Sequence, residues 1–195
     1  MISNFKMYKK CLIVVDMVNG FVRSGVLHDE EISKIIPNQI KLIKDAQKKE
    51  WLIIFIKDTH SINSKEFKRF GYTTHCLIGT YEAELVDELK DYENIDNTIS
   101  IEKNSTSFME APKFREVVKE LENVDEYNIC GCCTDICVIN GSMGLANYLD
   151  EWNRNATIKV YEDSIATYNE TNRQNYVDAA KLLMEQQGIQ LVKKK

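Results

Sequence analysis

Four of the six cysteines of this sequence lie within eight consecutive positions of the segment ICGCCTDICV: Cys130, Cys132, Cys133 and Cys137. A cysteine thiolate is a strong nucleophile and also a metal ligand. Such a concentration therefore indicates nucleophilic catalysis, metal binding or redox chemistry, with plain packing in a core as the alternative.

Cys137 is the cysteine best placed to act as a nucleophile. The residue types of GCCTD favour a tight turn from a strand into a helix, which would put Cys137 in the first helical turn. Backbone N–H groups and the helix dipole stabilise a thiolate there, and the same amides can bind an oxyanion. A carboxylate that takes the thiol proton and an ammonium that stabilises both charges would complete the site. Asp16 in VVDMVNGF and Lys103 in EKNSTSF are the candidates.

A second group of side chains has the composition of a metal site. Asp58 and His60 are two positions apart in KDTH, and Glu66 and His75 follow within the next fifteen residues. Two imidazoles and two carboxylates suit Zn, Mn or Fe better than they suit a structural zinc held by thiolates. A polar loop with unrelated histidines is the alternative, and the spacing alone leaves both open. The third histidine, His28, lies in the polar run LHDEE and is predicted to be at the surface.

Cys130 and Cys133 also form a C-x-x-C pair, which is typical of redox dithiols and of zinc ribbons. A ribbon needs a second pair, whereas Cys11 and Cys76 each stand alone. A redox pair would fit the start of a helix but would leave the candidate carboxylate and ammonium without a role.

These candidates must be positioned by secondary structure, and the hydrophobic pattern predicts alternating strands and helices. Apolar runs rich in β-branched residues predict buried strands at 11–15, 51–56 and 157–161, with weaker candidates at 98–101 and 127–130 and a sixth strand in GIQLVK. Helical periodicity covers 31–49, 82–89, 112–121, 138–149 and 171–187. The alternation predicts an α/β fold: a single three-layer, doubly wound domain over residues 1–195, with a mainly parallel sheet of about six strands and helices on both faces.

In an open parallel sheet, functional groups collect at the carboxyl ends of the strands. Asp16 ends the first predicted strand, and Asp58 with His60 follows the second. Lys103 follows the third strand, and the cysteine segment follows the fourth. The topology is therefore expected to bring both groups of side chains to one edge of the sheet.

Composition limits the classes of partner. The 195 residues carry a net charge of −5 and have a pI near 5.4, which disfavours nucleic acid as a partner. The apolar runs are far shorter than the roughly 18 residues of a membrane span, and the run after the basic start is too short for a signal peptide. We expect a cytoplasmic protein that acts on a small molecule, with no membrane partner and with reduced cysteines.

Five segments, in the order VVDMVNGF, KDTH, THCLIGT, EKNSTSF and ICGCCTDICV, resemble the isochorismatase-like cysteine hydrolases, and in particular their nicotinamidase branch. The resemblance extends from the first predicted strand to beyond the cysteine segment. It implies that Asp16, Lys103 and Cys137 form a catalytic triad. It also implies an oxyanion hole made by the backbone amides of Cys133 and Cys137, and a cis peptide bond between Cys132 and Cys133.

The same resemblance implies a cofactor. Asp58, His60 and His75 match the metal site that separates nicotinamidases from metal-free relatives, and Glu66 stands where many members have a third histidine. The implied cofactor is one divalent transition metal, zinc before manganese or iron.

Aromatic side chains that sandwich the substrate ring would be Phe21, Tyr72 and Phe108 by this resemblance. The first motif departs from the common family pattern D-x-Q-x-D-F, because Val18 and Gly20 replace its glutamine and its second aspartate. This departure bears on the substrate more than on the class of reaction.

The resemblance implies hydrolysis of nicotinamide to nicotinate and ammonia through a cysteine thioester, which is a reaction of NAD salvage. Isochorismatases themselves generally lack the catalytic cysteine, so Cys137 argues against that branch. Members of the family often form homo-oligomers. Two alternatives stay open: a relative that hydrolyses a ureido or carbamoyl amide, and a thiol redox or binding protein on the same fold.

Overall fold

A six-stranded parallel sheet forms the centre of the computed structural model, which describes residues 4–71 and 73–193. Its strands are β1 (Lys10–Val15), β2 (Leu52–Asp58), β3 (Thr98–Lys103), β4 (Glu126–Cys132), β5 (Thr157–Ala166) and β6 (Gln190–Val192). The spatial order is β3-β2-β1-β4-β5-β6, and every neighbouring pair is parallel. The direction of winding reverses between β1 and β4, so a crevice opens at the carboxyl ends of these two strands. The predicted doubly wound α/β fold is confirmed.

Helices lie between the strands: α1 (Asn19–Val22), α2 (Glu30–Ser33), α3 (Ile36–Lys48), α4 (Lys65–Phe70), α5 (Asp87–Lys90), α6 (Pro112–Glu120), α7 (Ile139–Glu151) and α8 (Arg173–Gln186). A π-helical turn, Thr134–Val138, leads into α7. Short 3₁₀ turns span Phe5–Met7, Tyr81–Ala83 and Phe108–Glu110. Within the described residues, no helix is both long and apolar enough to cross a membrane.

Two predicted helices differ from the structure. The helix predicted at 31–49 is divided into α2 and α3, because Pro37 has no N–H to donate to the carbonyl of the preceding turn. The helix predicted at 82–89 is a 3₁₀ turn followed by α5. Between them the chain is extended, since Leu85 forms an antiparallel bridge with Val18.

The core has two halves because both faces of the sheet are covered. Alternate side chains of β1, namely Cys11, Ile13 and Val15, pack with α6 and α7, while Leu12 and Val14 point the other way and pack with α3. All five side chains are fully buried. This two-sided burial explains why β1 reads as a continuous apolar run without alternation.

The strands that flank the crevice approach each other closely at Gly131. This glycine has a φ of +125°, and a Cβ at this position would overlap the carbonyl oxygen of Val15. Just before Gly131 the register between β4 and β5 shifts, because Ile129 of β4 pairs with Val160 whereas Gly131 pairs with Ile165. The irregularity lengthens β5 and carries its end toward the crevice.

Gly131→Ala is expected to destabilise the protein by about 3 kcal/mol or more, because the new methyl group meets backbone rather than a movable side chain. Gly188→Ala is the matched control. Gly188 has a φ of +77°, but a Cβ there would meet nothing within 4 Å, so this substitution introduces conformational strain alone. Urea unfolding of both variants measures the difference, and equal midpoints would contradict the close approach.

Candidate active site

The carboxyl ends of β1, β2 and β3 each present one charged side chain. Asp16 follows β1 directly in a left-handed conformation with a φ of +53°, and its amide donates to the carbonyl of Ile56 at 2.9 Å. Asp58 and Lys103 are the last residues of β2 and β3 and are register partners. Cys137 lies in the π-helical turn after β4. The structure therefore brings together side chains that lie far apart in the sequence, with 121 positions between Asp16 and Cys137.

Lys103 links the two groups of candidate residues. Its Nζ lies 2.9 Å from Oδ2 of Asp16 and 2.7 Å from Oδ1 of Asp58, and 3.7 Å from Sγ of Cys137. The side chains of Lys103 and Asp16 are fully buried. One ammonium thus contacts two carboxylates that are almost completely shielded from solvent.

The buried charges perturb one another. Burial raises the pKa of Asp16 to about 6, although the Lys103 ammonium opposes this shift. Burial also acts on Lys103, but the two carboxylates outweigh it and hold its pKa well above the usual range. Burial raises the pKa of the Cys137 thiol, with Lys103 acting in the opposite direction. These shifts favour the thiol form of Cys137 and bring the pKa of Asp16 into a range in which a carboxylate can accept and return a proton.

Asp58, His60 and His75 form a second buried group. Oδ2 of Asp58 lies 2.8 Å from Nε2 of His60 and 3.5 Å from Nε2 of His75. Nδ1 of His60 contacts Oδ1 of Asn104 at 2.9 Å, and Nδ1 of His75 contacts the carbonyl of Thr73 at 2.8 Å. These contacts orient both Nε2 atoms toward Asp58, an arrangement typical of histidines that bind metal.

The donor set of this group fits a divalent transition metal. One ligand atom from each of Asp58, His60 and His75 lies within 4.8 Å of the others. Two imidazoles and a carboxylate leave a position open for a further ligand, as in catalytic rather than structural zinc sites. Glu66 lies beside the group, with Oε1 at 3.8 Å from Nε2 of His60. Burial, followed by the Asp58 carboxylate, raises the pKa of Glu66.

His75→Ala is expected to lower the affinity of the protein for Zn²⁺ at least about 100-fold, since even outer-shell partners of metal ligands contribute about 10–100-fold. Calorimetric titration of chelator-treated protein measures the affinity. His28→Ala is the matched control, because His28 is exposed and its ring contacts the carbonyl of Gly25 through Nδ1 at 2.7 Å, away from the metal-ligand group. Unchanged affinity in His75→Ala would contradict the assignment.

A small pocket opens above these groups. Its lining combines side chains of both groups with their neighbours: Asp58, Glu66, His75, Cys133, Cys137, Phe21, Leu27, Thr106, Ile136 and Tyr168. The ring of Phe21 lies 5.8 Å from that of His75, centroid to centroid. Phe21 is therefore in the pocket where the resemblance places it. The arrangement suits a small molecule with an apolar body and one reactive polar group.

The other two predicted ring contacts differ. Phe108 is fully buried in the core, with its ring centroid 4.8 Å from that of Phe114. Its 3₁₀ turn directs the ring against Gly141, where a Cβ would overlap the ring, so the structure assigns Phe108 to packing and corrects the prediction. Tyr72 lies outside the described residues.

Sequence reasoning missed two neighbours of the site. Asn104, which contacts His60, directly follows Lys103, so the carboxyl-end rule could have found it. Tyr168 lines the pocket just beyond β5. Its position could not be predicted, because the strand predicted at 157–161 extends to Ala166 only through the register shift.

The cysteine segment adopts the predicted turn from strand to helix. The peptide bond between Cys132 and Cys133 is cis, as predicted. The amides of Ile136 and Val138 both donate to the carbonyl of Cys133 at 3.1 Å, which holds the turn that carries Cys137. All six cysteines are free thiols. The oxyanion role of the amides of Cys133 and Cys137 stays a prediction.

A family model of the isochorismatase domain matches residues 10–192, and the chain belongs to this family of hydrolases. Nicotinamidase 1 of Arabidopsis thaliana is 33% identical over 142 residues, which are 66% of this chain but only 57% of that protein. The pyrazinamidase of Pyrococcus horikoshii, solved in complex with zinc, has 25% identity and a TM-score of 0.74, with 95% of this chain and 99% of that chain covered. The predicted resemblance, on the nicotinamidase branch, is confirmed.

The same fold occurs in an amidase with a different substrate. The N-carbamoylsarcosine amidase from Thermoplasma acidophilum has a TM-score of 0.72 at 24% identity, with 95% of this chain and 96% of that chain covered. At this identity the likeness shows the shared fold alone.

Proposed function

We propose that this protein is a metal-dependent cysteine amidohydrolase that converts nicotinamide to nicotinate and ammonia. The observation that carries the proposal is the shared ammonium of Lys103, which joins the Asp16–Cys137 pair to the Asp58–His60–His75 group beside one pocket. Because Lys103 contacts both groups, one small substrate could reach the nucleophile and the metal-ligand group at the same time.

Catalysis would begin with proton transfer from the Cys137 thiol to Asp16. Lys103, 3.7 Å from the sulfur, stabilises the thiolate that attacks the carboxamide carbon. The amides of Cys133 and Cys137 would hold the oxyanion as the C–N bond breaks, and Asp16 returns the proton so that ammonia leaves. Asp16 then takes a proton from water as the water attacks the thioester. The C–S bond breaks, and Cys137 regains the proton.

Asp58, His60 and His75, with Glu66 as a fourth candidate, would hold the metal, with zinc preferred over manganese or iron. A metal held there would supply a coordination site for the pyridine nitrogen, which would help to orient the ring. Phe21 packs against that side of the pocket and would contact one face of the ring. The nucleophile comes from Cys137, so the protein residues carry the bond-making steps.

Ammonia release from nicotinamide, pyrazinamide and N-carbamoyl amides, with zinc-loaded and chelator-treated protein, tests the proposal. Hydrolysis of nicotinamide that zinc restores after chelation is the expected result. Turnover of only the N-carbamoyl amides, with no bound metal, would instead favour a hydrolase of ureido or carbamoyl amides.

A redox role for the C-x-x-C pair fits the geometry less well. Cys130 is fully buried in β4 and packs in the core half that contains α3, where burial raises its pKa. A disulfide that forms on mild oxidation, without amidase activity, would favour that role.

A further inference from the structure

Glu82 contacts the segment that carries one of the proposed metal ligands. Its Oε2 accepts the N–H of Cys76 at 2.9 Å, and Cys76 directly follows His75. The carbonyl of Cys76 in turn accepts the N–H of His60 at 2.8 Å. Through the peptide units of Cys76, the carboxylate of Glu82 is connected to both histidines of the metal-ligand group.

Cys76 needs such support because its backbone is strained. It has a φ of +44°, in the left-handed region that residues with a Cβ rarely adopt. Its side chain is fully buried and cannot relax into solvent. A charged acceptor for the amide of Cys76 favours this conformation, since hydrogen bonds to ionised groups are stronger than neutral ones.

Two glycines leave the space that Glu82 occupies. A Cβ at Gly20 would lie 2.5 Å from Sγ of Cys76 and 3.1 Å from Cβ of Glu82. A Cβ at Gly25, where φ is +97°, would lie 2.5 Å from Oε1 of Glu82. The glycine at position 20, where the first motif departs from D-x-Q-x-D-F, therefore has a structural partner in Glu82.

We propose that Glu82 is a positioning residue for the metal site, acting through the amide of Cys76 to hold His75 and His60 in ligating geometry. This inference rests on the proposed function, because it needs the Asp58–His60–His75 group to bind metal. It also gives a reason for the glycine at position 20, because a side chain there would collide with Cys76 and crowd Glu82.

Zinc affinity of chelator-treated protein, measured by calorimetry, tests the proposal. Glu82→Ala is expected to bind Zn²⁺ about 10–100-fold more weakly than the unmodified protein, the range for loss of an outer-shell partner. Glu82→Gln keeps an oxygen acceptor and is expected to restore the affinity to within about threefold of the unmodified protein, as outer-shell hydrogen bonding is retained. Glu82→Met keeps most of the side-chain volume but removes the acceptor, so it should bind zinc as weakly as Glu82→Ala. If Glu82→Ala does not fold, Glu82→Met serves in its place.

Glu84→Ala is the matched control, because Glu84 lies in the same segment but is half-exposed and pairs with Lys90 at the surface. It should bind zinc as the unmodified protein does. Unmodified protein that binds no zinc would overturn the proposed metal site and this inference with it. Tight binding by the unmodified protein and equally tight binding by Glu82→Met would overturn the role of Glu82 alone. Loss of affinity in Glu82→Gln equal to that in Glu82→Met would overturn the hydrogen bond as its cause.

Discussion

Cys137→Ala is expected to lower kcat/KM for nicotinamide by at least about 10⁴-fold, which is the scale of losing a covalent nucleophile. Asp16 is not expected to compensate for the missing thiol. It lies where it can take the Cys137 proton, and without the thiol it would have to activate a water molecule to attack the amide directly. The fold should survive, since Cys137 is packed in a turn held by the amides of Ile136 and Val138. Zinc content should be unchanged, because the sulfur is outside the Asp58–His60–His75 group.

Ammonia release is measured with nicotinamide as the substrate, and the metal content of the same preparation is determined. Cys130→Ala is the matched control: it removes another buried thiol, from β4, that is not among the residues lining the pocket in the described part of the chain. We expect it to keep activity within about threefold of the unmodified protein, as a substitution outside the catalytic unit. Substantial turnover by Cys137→Ala would exclude the thioester route.

Lys103→Met is expected to destabilise the protein by about 3–5 kcal/mol and to remove activity. Loss of one partner from a buried ion pair leaves an uncompensated charge, and here two carboxylates would be left. Methionine fills most of the volume of the lysine side chain, so the effect reports on charge rather than on a cavity. Urea unfolding of chelator-treated protein measures it, because bound metal would stabilise the folded state.

Lys90→Met provides the comparison for this variant. Lys90 also lies near two carboxylates, with Nζ at 2.7 Å from Glu84 and 3.8 Å from Asp87, but all three side chains are solvent-exposed. Its substitution should change the unfolding midpoint little, because exposed ion pairs contribute little to stability. If the two variants unfold at the same urea concentration, Lys103 does not compensate the buried carboxylates.

The residues at the ends of the first three strands could be predicted from the sequence. A continuous apolar run identifies a doubly buried strand, and parallel packing then puts Asp16, Asp58 and Lys103 at one edge. The division between α2 and α3 was also accessible, because Pro37 interrupts the hydrogen-bond ladder of a longer helix.

Other parts of the site depend on tertiary contacts that no periodicity encodes. Tyr168 reaches the pocket through a register shift in β5, which apolar patterning does not reveal. Glu82 acts on an amide six positions earlier through space left by two glycines. Phe108 shows the converse: this aromatic residue lies five positions after the proposed catalytic residue Lys103, but a single 3₁₀ turn directs its ring into the core.

The position of Lys103 between two carboxylates has a consequence for how this site can change. Together Asp16, Lys103 and Asp58 carry one surplus negative charge when ionised, and Lys103 touches both acids. A substitution that neutralises Asp58 therefore also alters the field at Asp16, on the side of the nucleophile. A variant that loses the metal through neutralisation of Asp58 would leave Lys103 paired with Asp16 alone and without surplus charge, so the pKa of Asp16, which the Asp58 charge raises, is expected to fall in the same step.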